Sequence, residues 1–366
     1  MPPQIKIQKT KDLCLSNIYF VLGQVSRSNS TSSNINLLLK VLSLSMSSLR
    51  RLAALCGVSV FALFATNFQL SAHGEPKEFK SSVPIDFDGD GDIDIVDADS
   101  SSGNLYLIRN SGLNFSKELI LDPSFNADLV ASADIDQDGD DDLVILNQTT
   151  GEIQVLDNSG SELFTPLASS SLGSSINEAH IADLDNQTGS DVAYSTPTAV
   201  GWAKNNGSDG FIPQSSIQSG LSSPTALEVG DLDQDGDNDL YYGDSSIAGL
   251  GIAKNQGSET FVPQVANSTI SDFSDLEIAD LDGDGNDDMV YASQGASAIG
   301  WMKNDGSDNF LPASDLASGL TSVDQIQVAD LDNDADFDIV GASSLSNDRA
   351  WLENDGSEGF IPHQLG

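Results

Sequence analysis

The chain has 366 residues, with 56 Asp+Glu against 15 Lys+Arg and a formal net charge of −41. So acidic a surface repels nucleic acid and anionic membranes and attracts cations, which excludes nucleic acid as a partner. The hydrophobic fraction of 39% is ordinary for a packed core and argues against acidic disorder.

The charge is uneven. Ahead of His73 stand seven bases and one acid, Asp12; beyond it 55 acids face eight bases. Both cysteines, Cys14 and Cys56, also precede His73. The body that follows has no disulfide to staple it, and its self-repulsion calls for a neutralising cation.

Residues 46–72 read MSSLRRLAALCGVSVFALFATNFQLSA. Arg50 and Arg51 precede an apolar run from Leu52 to Ala65, and small residues close it at Ala72, the layout of a secretory signal peptide. The run is short for a membrane span, which needs about 20 residues. No span is therefore expected after signal cleavage; an uncleaved signal anchor is the alternative. Translation is expected to start at Met46, so the chain divides into an upstream segment 1–45, a signal peptide 46–72 and a folded body 73–366. The protein is then secreted, extracellular or at the cell surface, with a periplasmic or membrane-tethered location as alternatives.

From Asp86 onward the sequence repeats. Six acidic segments read DFDGDGDID, DIDQDGDDD, DLDNQTGSD, DLDQDGDND, DLDGDGNDD and DLDNDADFD, and they open at Asp86, Asp134, Asp183, Asp231, Asp280 and Asp330. A near-constant period of just under fifty residues marks a solenoid or a propeller. A second motif, N-x-G, keeps the same phase at Asn110, Asn158, Asn205, Asn255, Asn304 and Asn354. Asn and Gly accept positive φ, so the motif reads as a hairpin turn.

Each repeat parses into four strands. The first approaches the acidic loop, as in LEVGD, and the second leaves it, as in DLVIL. The third carries Leu107, Val155, Trp202, Ile252, Trp301 or Trp351, and the fourth begins at the Phe after the glycine. Helical periodicity is absent after residue 73. Four strands per repeat predict an all-β fold, a single β-propeller of six four-stranded blades. Seven blades or a parallel β-solenoid are the alternatives. Residues 74–82 are expected to supply an edge strand to the last blade.

The acidic loops carry the chemistry. A hard cation takes six to eight oxygen ligands, and carboxylates at positions 1, 3 and 5 of a tight loop converge on one point. Glycine at position 6 allows the turn, and a carboxylate at position 9 extends the shell. The candidate ligands are Asp86, Asp88, Asp90 and Asp94 in the first loop and Asp134, Asp136, Asp138 and Asp142 in the second. They are Asp231, Asp233, Asp235 and Asp239 in the fourth, Asp280, Asp282, Asp284 and Asp288 in the fifth, and Asp330, Asp332, Asp334 and Asp338 in the sixth. Ca²⁺ fits this set better than Mg²⁺, which demands strict octahedral geometry, or Zn²⁺, which wants His or Cys. Two loops depart from the pattern. The third keeps Asp183, Asp185 and Asp191 but has Gln187 at position 5 and Thr188 at position 6, which weighs against a metal there. The sixth has Ala335 in place of glycine, which strains a positive-φ position and predicts weaker binding.

DLDQDGDNDL at Asp231, DLDGDGNDDMV at Asp280, FDIVGAS at Phe337 and GWMKNDGSDNF at Gly300 resemble the FG-GAP and VCBS repeat families. The resemblance spans about residues 83–366. It implies a propeller with Ca²⁺ in loops on one face, as in the N-terminal region of integrin α subunits, and roles in adhesion, sugar binding or support of secreted enzymes. It speaks to fold and metal more than to function.

Catalytic groups are scarce. The histidines are His73, His180 and His363, and neither G-x-S-x-G nor a P-loop occurs. His180 reads as an ordinary strand residue, and Trp202, Trp301 and Trp351 read as blade packing. The sequence thus describes a non-enzymatic, monomeric, extracellular binding or adhesion module, whose partner is a protein or a glycan. A lectin-like propeller and an accessory domain of a secreted carbohydrate- or lipid-active enzyme are the alternatives.

Overall fold

The strand that leaves each acidic loop is apolar on both faces. In Asp142–Asn147 all six residues are buried. Side chains of a strand alternate between faces, so such a strand needs cover on both sides. In the computed structural model the cover comes from neighbouring sheets. The structure describes residues 77–364 apart from 88–91, 113, 122–124, 159–163, 174, 188, 208–209, 245–246, 248, 258, 268–269, 271, 307–309, 312–313, 319–321, 344–348 and 357–358. The proposed signal peptide, both cysteines, Asp88 and Asp90 lie outside the described residues.

Six antiparallel sheets follow one another, and no helix occurs among the described residues. The first is built from Ser82–Ile85, Asp94–Asp99, Asn104–Asn110 and Phe115–Leu121. The second uses Leu129–Ala133, Asp142–Asn147, Glu152–Asn158 and Phe164–Pro166, the third Glu178–Ala182, Asp191–Thr196, Ala199–Asn205 and Phe211–Pro213. The fourth uses Ala226–Gly230, Asp239–Gly243, Gly249–Asn255 and Phe261–Asn267. The fifth uses Phe273–Ala279, Asp288–Ser293, Ala298–Met302 and Ser314–Ser318, and the sixth Gln325–Ala329, Asp338–Ala342, Arg349–Asn354 and Phe360–Gln364. Strands are paired in chain order in every sheet, with short extra strands Ser170–Ser171 and Gln218–Ser219 on the second and third. These are the predicted blades, each with its acidic loop between the first and second strands.

Five hydrophobic clusters fill the spaces between consecutive sheets. Leu143 and Ile145 of the second sheet pack with Val96, Leu105 and Leu107 of the first. Val144 and Leu146, on the opposite face of the same strand, pack with Ile181, Val192 and Tyr194 of the third. The same division recurs at Tyr242, which packs toward the third sheet, and Tyr241, which packs toward the fifth. Each of the second to fifth sheets therefore lends one face to the sheet before it and one to the sheet after it.

Two expectations are corrected. Lys77–Glu78 pairs with Glu178–Ala182 of the third sheet, and Lys80 bridges to Val130 of the second, so this segment does not extend the last blade. Phe79 explains the choice: its ring is buried in the cluster between the second and third sheets, and its N–H bonds Ala179 O at 2.9 Å. In the fifth sheet the fourth strand is Ser314–Ser318; Phe310 makes only an isolated bridge to Asn304.

Candidate metal loops

The backbone of the acidic loop turns twice through left-handed geometry. Position 6 has φ of 100° at Gly139, 94° at Gly236, 89° at Gly285 and 81° at Ala335, where glycine is favoured because it lacks a Cβ. Position 4 is left-handed as well, at Gln137, Asn186, Gln234, Gly283 and Asn333. These turns aim backbone N–H groups inward. Asp134 Oδ2 accepts from Gly139 N at 3.2 Å, Asp231 Oδ2 from Gly236 N at 3.0 Å, Asp280 Oδ2 from Gly285 N at 3.0 Å and Asp330 Oδ2 from Ala335 N at 3.2 Å. Position 5 donates to position 3, as from Asp138 N to Asp136 Oδ1 at 3.1 Å.

Position 9 is a buried knot. Asp142 Oδ2 accepts from Ile135 N at 3.0 Å, and its Oδ1 accepts from Asn158 N at 2.8 Å. Asp191 and Asp288 repeat both bonds, to Leu184 and Asn205 and to Leu281 and Asn304. Asp94, Asp239 and Asp338 each accept from the asparagine N–H of their own repeat. Burial pushes the carboxyls of Asp142, Asp191, Asp239 and Asp288 up to about 7, against the opposing pull of those N–H bonds.

The same asparagines do more than turn the chain. Asn255 Nδ2 donates to Asn238 O at 3.1 Å in its own loop and to Leu184 O at 3.0 Å in the loop of the preceding repeat. Asn304 reaches Asp287 O and Leu232 O, and Asn354 reaches Phe337 O and Leu281 O. Asn205 reaches back to Ile135 O at 3.0 Å. Their Oδ1 atoms accept from the turn glycines, as from Gly257 N at 3.1 Å. The asparagine thus ties a turn, its own loop and the loop before it.

Within this frame, three carboxylates converge in each loop from the second to the sixth. One oxygen from each of Asp134, Asp136 and Asp142 lies within 4.8 Å of the other two, and so it is for Asp231, Asp233 and Asp235, for Asp280, Asp282 and Asp288, and for Asp330, Asp332 and Asp334. Asp138, Asp239, Asp284 and Asp338 do not join these groups. Asp183, Asp185 and Asp191 of the divergent third loop also converge. In the first loop Asp86 is exposed and Asp94 buried. The donors are all carboxylate oxygens, which suit a hard cation. Asp134 Oδ1 is buried and has no hydrogen-bond partner, so a cation there would meet an otherwise unsatisfied ligand.

A family model for the FG-GAP-like repeat matches residues 86–145, 231–291 and 280–341. The chain carries FG-GAP-like repeats. No curated protein matches its sequence. Among solved structures, it resembles an Agrocybe aegerita lectin described as recognising non-reducing terminal N-acetylglucosamine. The identity is 21%, over 79% of this chain and 80% of that one, with a TM-score of 0.59. It also resembles BBS1N, solved in complex with ARL6DN, at 13% identity over 80% and 84% of the two chains, with a TM-score of 0.51. Both likenesses concern the fold.

In the repeats the aromatic positions pack as expected. Trp202 meets Phe261 of the next sheet at 5.8 Å between ring centres, and Trp301 meets Phe360 at 6.2 Å. Trp351 stacks on His363. His180 is a buried residue of its strand, as expected. A lysine precedes the asparagine in three repeats, and each reaches a position-3 carboxylate. Lys204 Nζ lies 2.5 Å from Asp185 Oδ2 and also pairs with Glu259, Lys254 Nζ lies 2.5 Å from Asp233 Oδ2, and Lys303 pairs with Asp282.

The first strands of several sheets line a second polar feature, a cavity of about 350 Å³. Glu78, Glu178, Glu228, Asp275 and Glu277 face it together with Lys80. Burial raises Glu178 and Glu228 well above the usual carboxylate range, Glu277 to about 8 and Asp275 to about 7. Burial alone would lower the Lys80 ammonium, but its pairing with Glu78 at 2.6 Å outweighs that and holds it high.

Proposed function

We propose that this protein is a secreted, non-enzymatic binding module whose acidic loops hold Ca²⁺ and whose surface engages an extracellular protein or glycan. The observation that carries the metal reading is the second loop, where Asp134 has a buried Oδ1 with no hydrogen-bond partner and offers an oxygen within 4.8 Å of oxygens of Asp136 and Asp142. A carboxylate oxygen buried without a partner costs free energy that a cation would recover. Asp231, Asp233 and Asp235, Asp280, Asp282 and Asp288, and Asp330, Asp332 and Asp334 would hold further ions in their loops. Ca²⁺ tolerates the irregular, partly exposed oxygen sets that these loops offer. Its role is to neutralise and staple a cysteine-free acidic body. The non-enzymatic reading is supported by the fate of the histidines: His180 is buried, and His363 is stacked on Trp351 and held 2.6 Å from Glu353.

Thermal melts of Ca²⁺-loaded and EDTA-stripped protein test the metal. A ligand at a hundredfold excess over its Kd, bound only to the native state, stabilises by about 2.7 kcal/mol per site. An unchanged midpoint after verified metal removal rejects the reading. Secretion is checked by sequencing the N-terminus of exported protein, with His73 or a near neighbour expected first.

The likeness in fold to the N-acetylglucosamine-recognising lectin favours a glycan as the partner. A glycan array probed with and without Ca²⁺ decides between the two classes. Absence of binding to every glycan removes the lectin reading and leaves a protein ligand.

A further inference from the structure

Three of the loops carry a cation of their own. The position-3 carboxylate has two oxygens, and in these loops both are engaged. Oδ1 accepts the position-5 N–H: Gln187 to Asp185 at 2.9 Å, Asp235 to Asp233 at 3.3 Å and Asp284 to Asp282 at 3.1 Å. Oδ2 meets the ammonium of Lys204, Lys254 or Lys303. The second loop has the same Oδ1 bond, from Asp138 N to Asp136, but the residue before its asparagine is Asp157. Asp136 has no ion pair among the described residues.

We propose that Lys204, Lys254 and Lys303 are tethered counter-cations of the third, fourth and fifth loops, which a divalent ion must displace, so that the second loop binds metal more tightly than the fourth and fifth. The inference rests on the calcium reading above and concerns how that metal is distributed. An ammonium on Oδ2 takes the lone pairs that a metal needs, and two cations on one carboxylate repel. The lysine side chains are a fifth to a quarter exposed, so each stem can swing into solvent at the cost of one partly exposed ion pair. That cost weakens metal binding by about three- to tenfold. In the third loop the exchange goes furthest toward the lysine. Position 5 there is Gln187, and Lys204 holds Glu259 of the next repeat as well as Asp185. Its ammonium replaces the metal as the staple.

Isothermal titration of the whole protein with Ca²⁺ tests this, on wild type, Lys254→Met, Lys303→Met and Asp157→Lys. Methionine keeps an apolar stem and removes the charge. Wild type is expected to show a tight and a weaker class of sites. Each Lys→Met change should strengthen one weaker site by about three- to tenfold, and Asp157→Lys should weaken one tight site similarly. In EDTA the Lys→Met variants should melt below wild type, because they lose a built-in counter-charge of their loop. If wild type binds Ca²⁺ and both Lys→Met isotherms match it, the lysine proposal fails while the calcium reading stands. If neither wild type nor any variant binds Ca²⁺, both fail. The two Lys→Met variants decide the matter even if Asp157→Lys does not fold.

Discussion

Replacing Asn255 with alanine should be among the most damaging single changes in the chain. The residue is 1% exposed, and its side chain makes three hydrogen bonds: to Leu184 O at 3.0 Å, to Asn238 O at 3.1 Å and from Gly257 N at 3.1 Å. Leu184 is fully buried, so its carbonyl can find no water in exchange. A buried polar group left without a partner costs about 1–3 kcal/mol, whereas the turn N–H of Gly257 is half-buried and recovers part of its loss from solvent. The sum is a destabilisation of about 3–5 kcal/mol. Equilibrium denaturation in saturating Ca²⁺, followed by tryptophan fluorescence, measures it. The neighbouring Gln256→Ala is the control: Gln256 is exposed, its side chain bonds the Asn255 carbonyl and its backbone bond to Thr260 O is kept in the variant, so it should change stability by no more than about 0.5 kcal/mol. Hydrogen exchange should quicken at 183–191 of the preceding repeat as well as at 255–261. A loss under about 1 kcal/mol, comparable to the control, would refute the reasoning that this asparagine locks adjacent repeats.

Two further outcomes follow from the same structure. Ala335 carries a φ of 81°, so Ala335→Gly should relieve strain and stabilise the protein by about 1 kcal/mol; a lowered denaturation midpoint would contradict this. The half-buried carboxyls around the cavity, Glu178, Glu228, Asp275 and Glu277, are all raised by desolvation. Folded protein then holds more protons than unfolded protein between the ordinary carboxylate range and about pH 8, so stability falls as pH rises through that window. Metal-free protein should melt lower at pH 8 than at pH 5, and a midpoint that is flat or rising would sink the assignment.

What was legible in the sequence is what recurs locally. Asp134, Asp136 and Asp142 announce a loop because their spacing is the chemistry, and six copies in phase announce six sheets. Ala335 was legible as a strained turn because four of the other five loops carry glycine at that position. The asparagines were legible only as turn residues. Their second role depends on carbonyls such as Leu184 O and Leu232 O, which belong to the previous repeat and leave no mark near Asn255 or Asn304. Lys204, Lys254 and Lys303 stand in plain view before those asparagines, but the carboxylates they reach come two strands earlier. Left-handed geometry at Gln137 and Gln234 was invisible, since glutamine has no preference for it. The segment with Lys77 and Glu78 reads as an edge strand anywhere; a pocket for Phe79 chooses its place, and pockets are not written in any one stretch of sequence.

The backward reach of the asparagines also sets a timetable. Ile135 O waits for a donor 70 residues further on, Leu184 O for one 71 away, Leu232 O for one 72 away and Leu281 O for one 73 away. On a ribosome adding about 5–20 residues per second, each of these four carbonyls is made roughly 4–14 s before the side chain that caps it. Every newly emerged repeat is therefore provisional until its successor is nearly finished. Slow codons placed between repeats would lengthen that provisional interval, whereas export after synthesis would let all the caps arrive together.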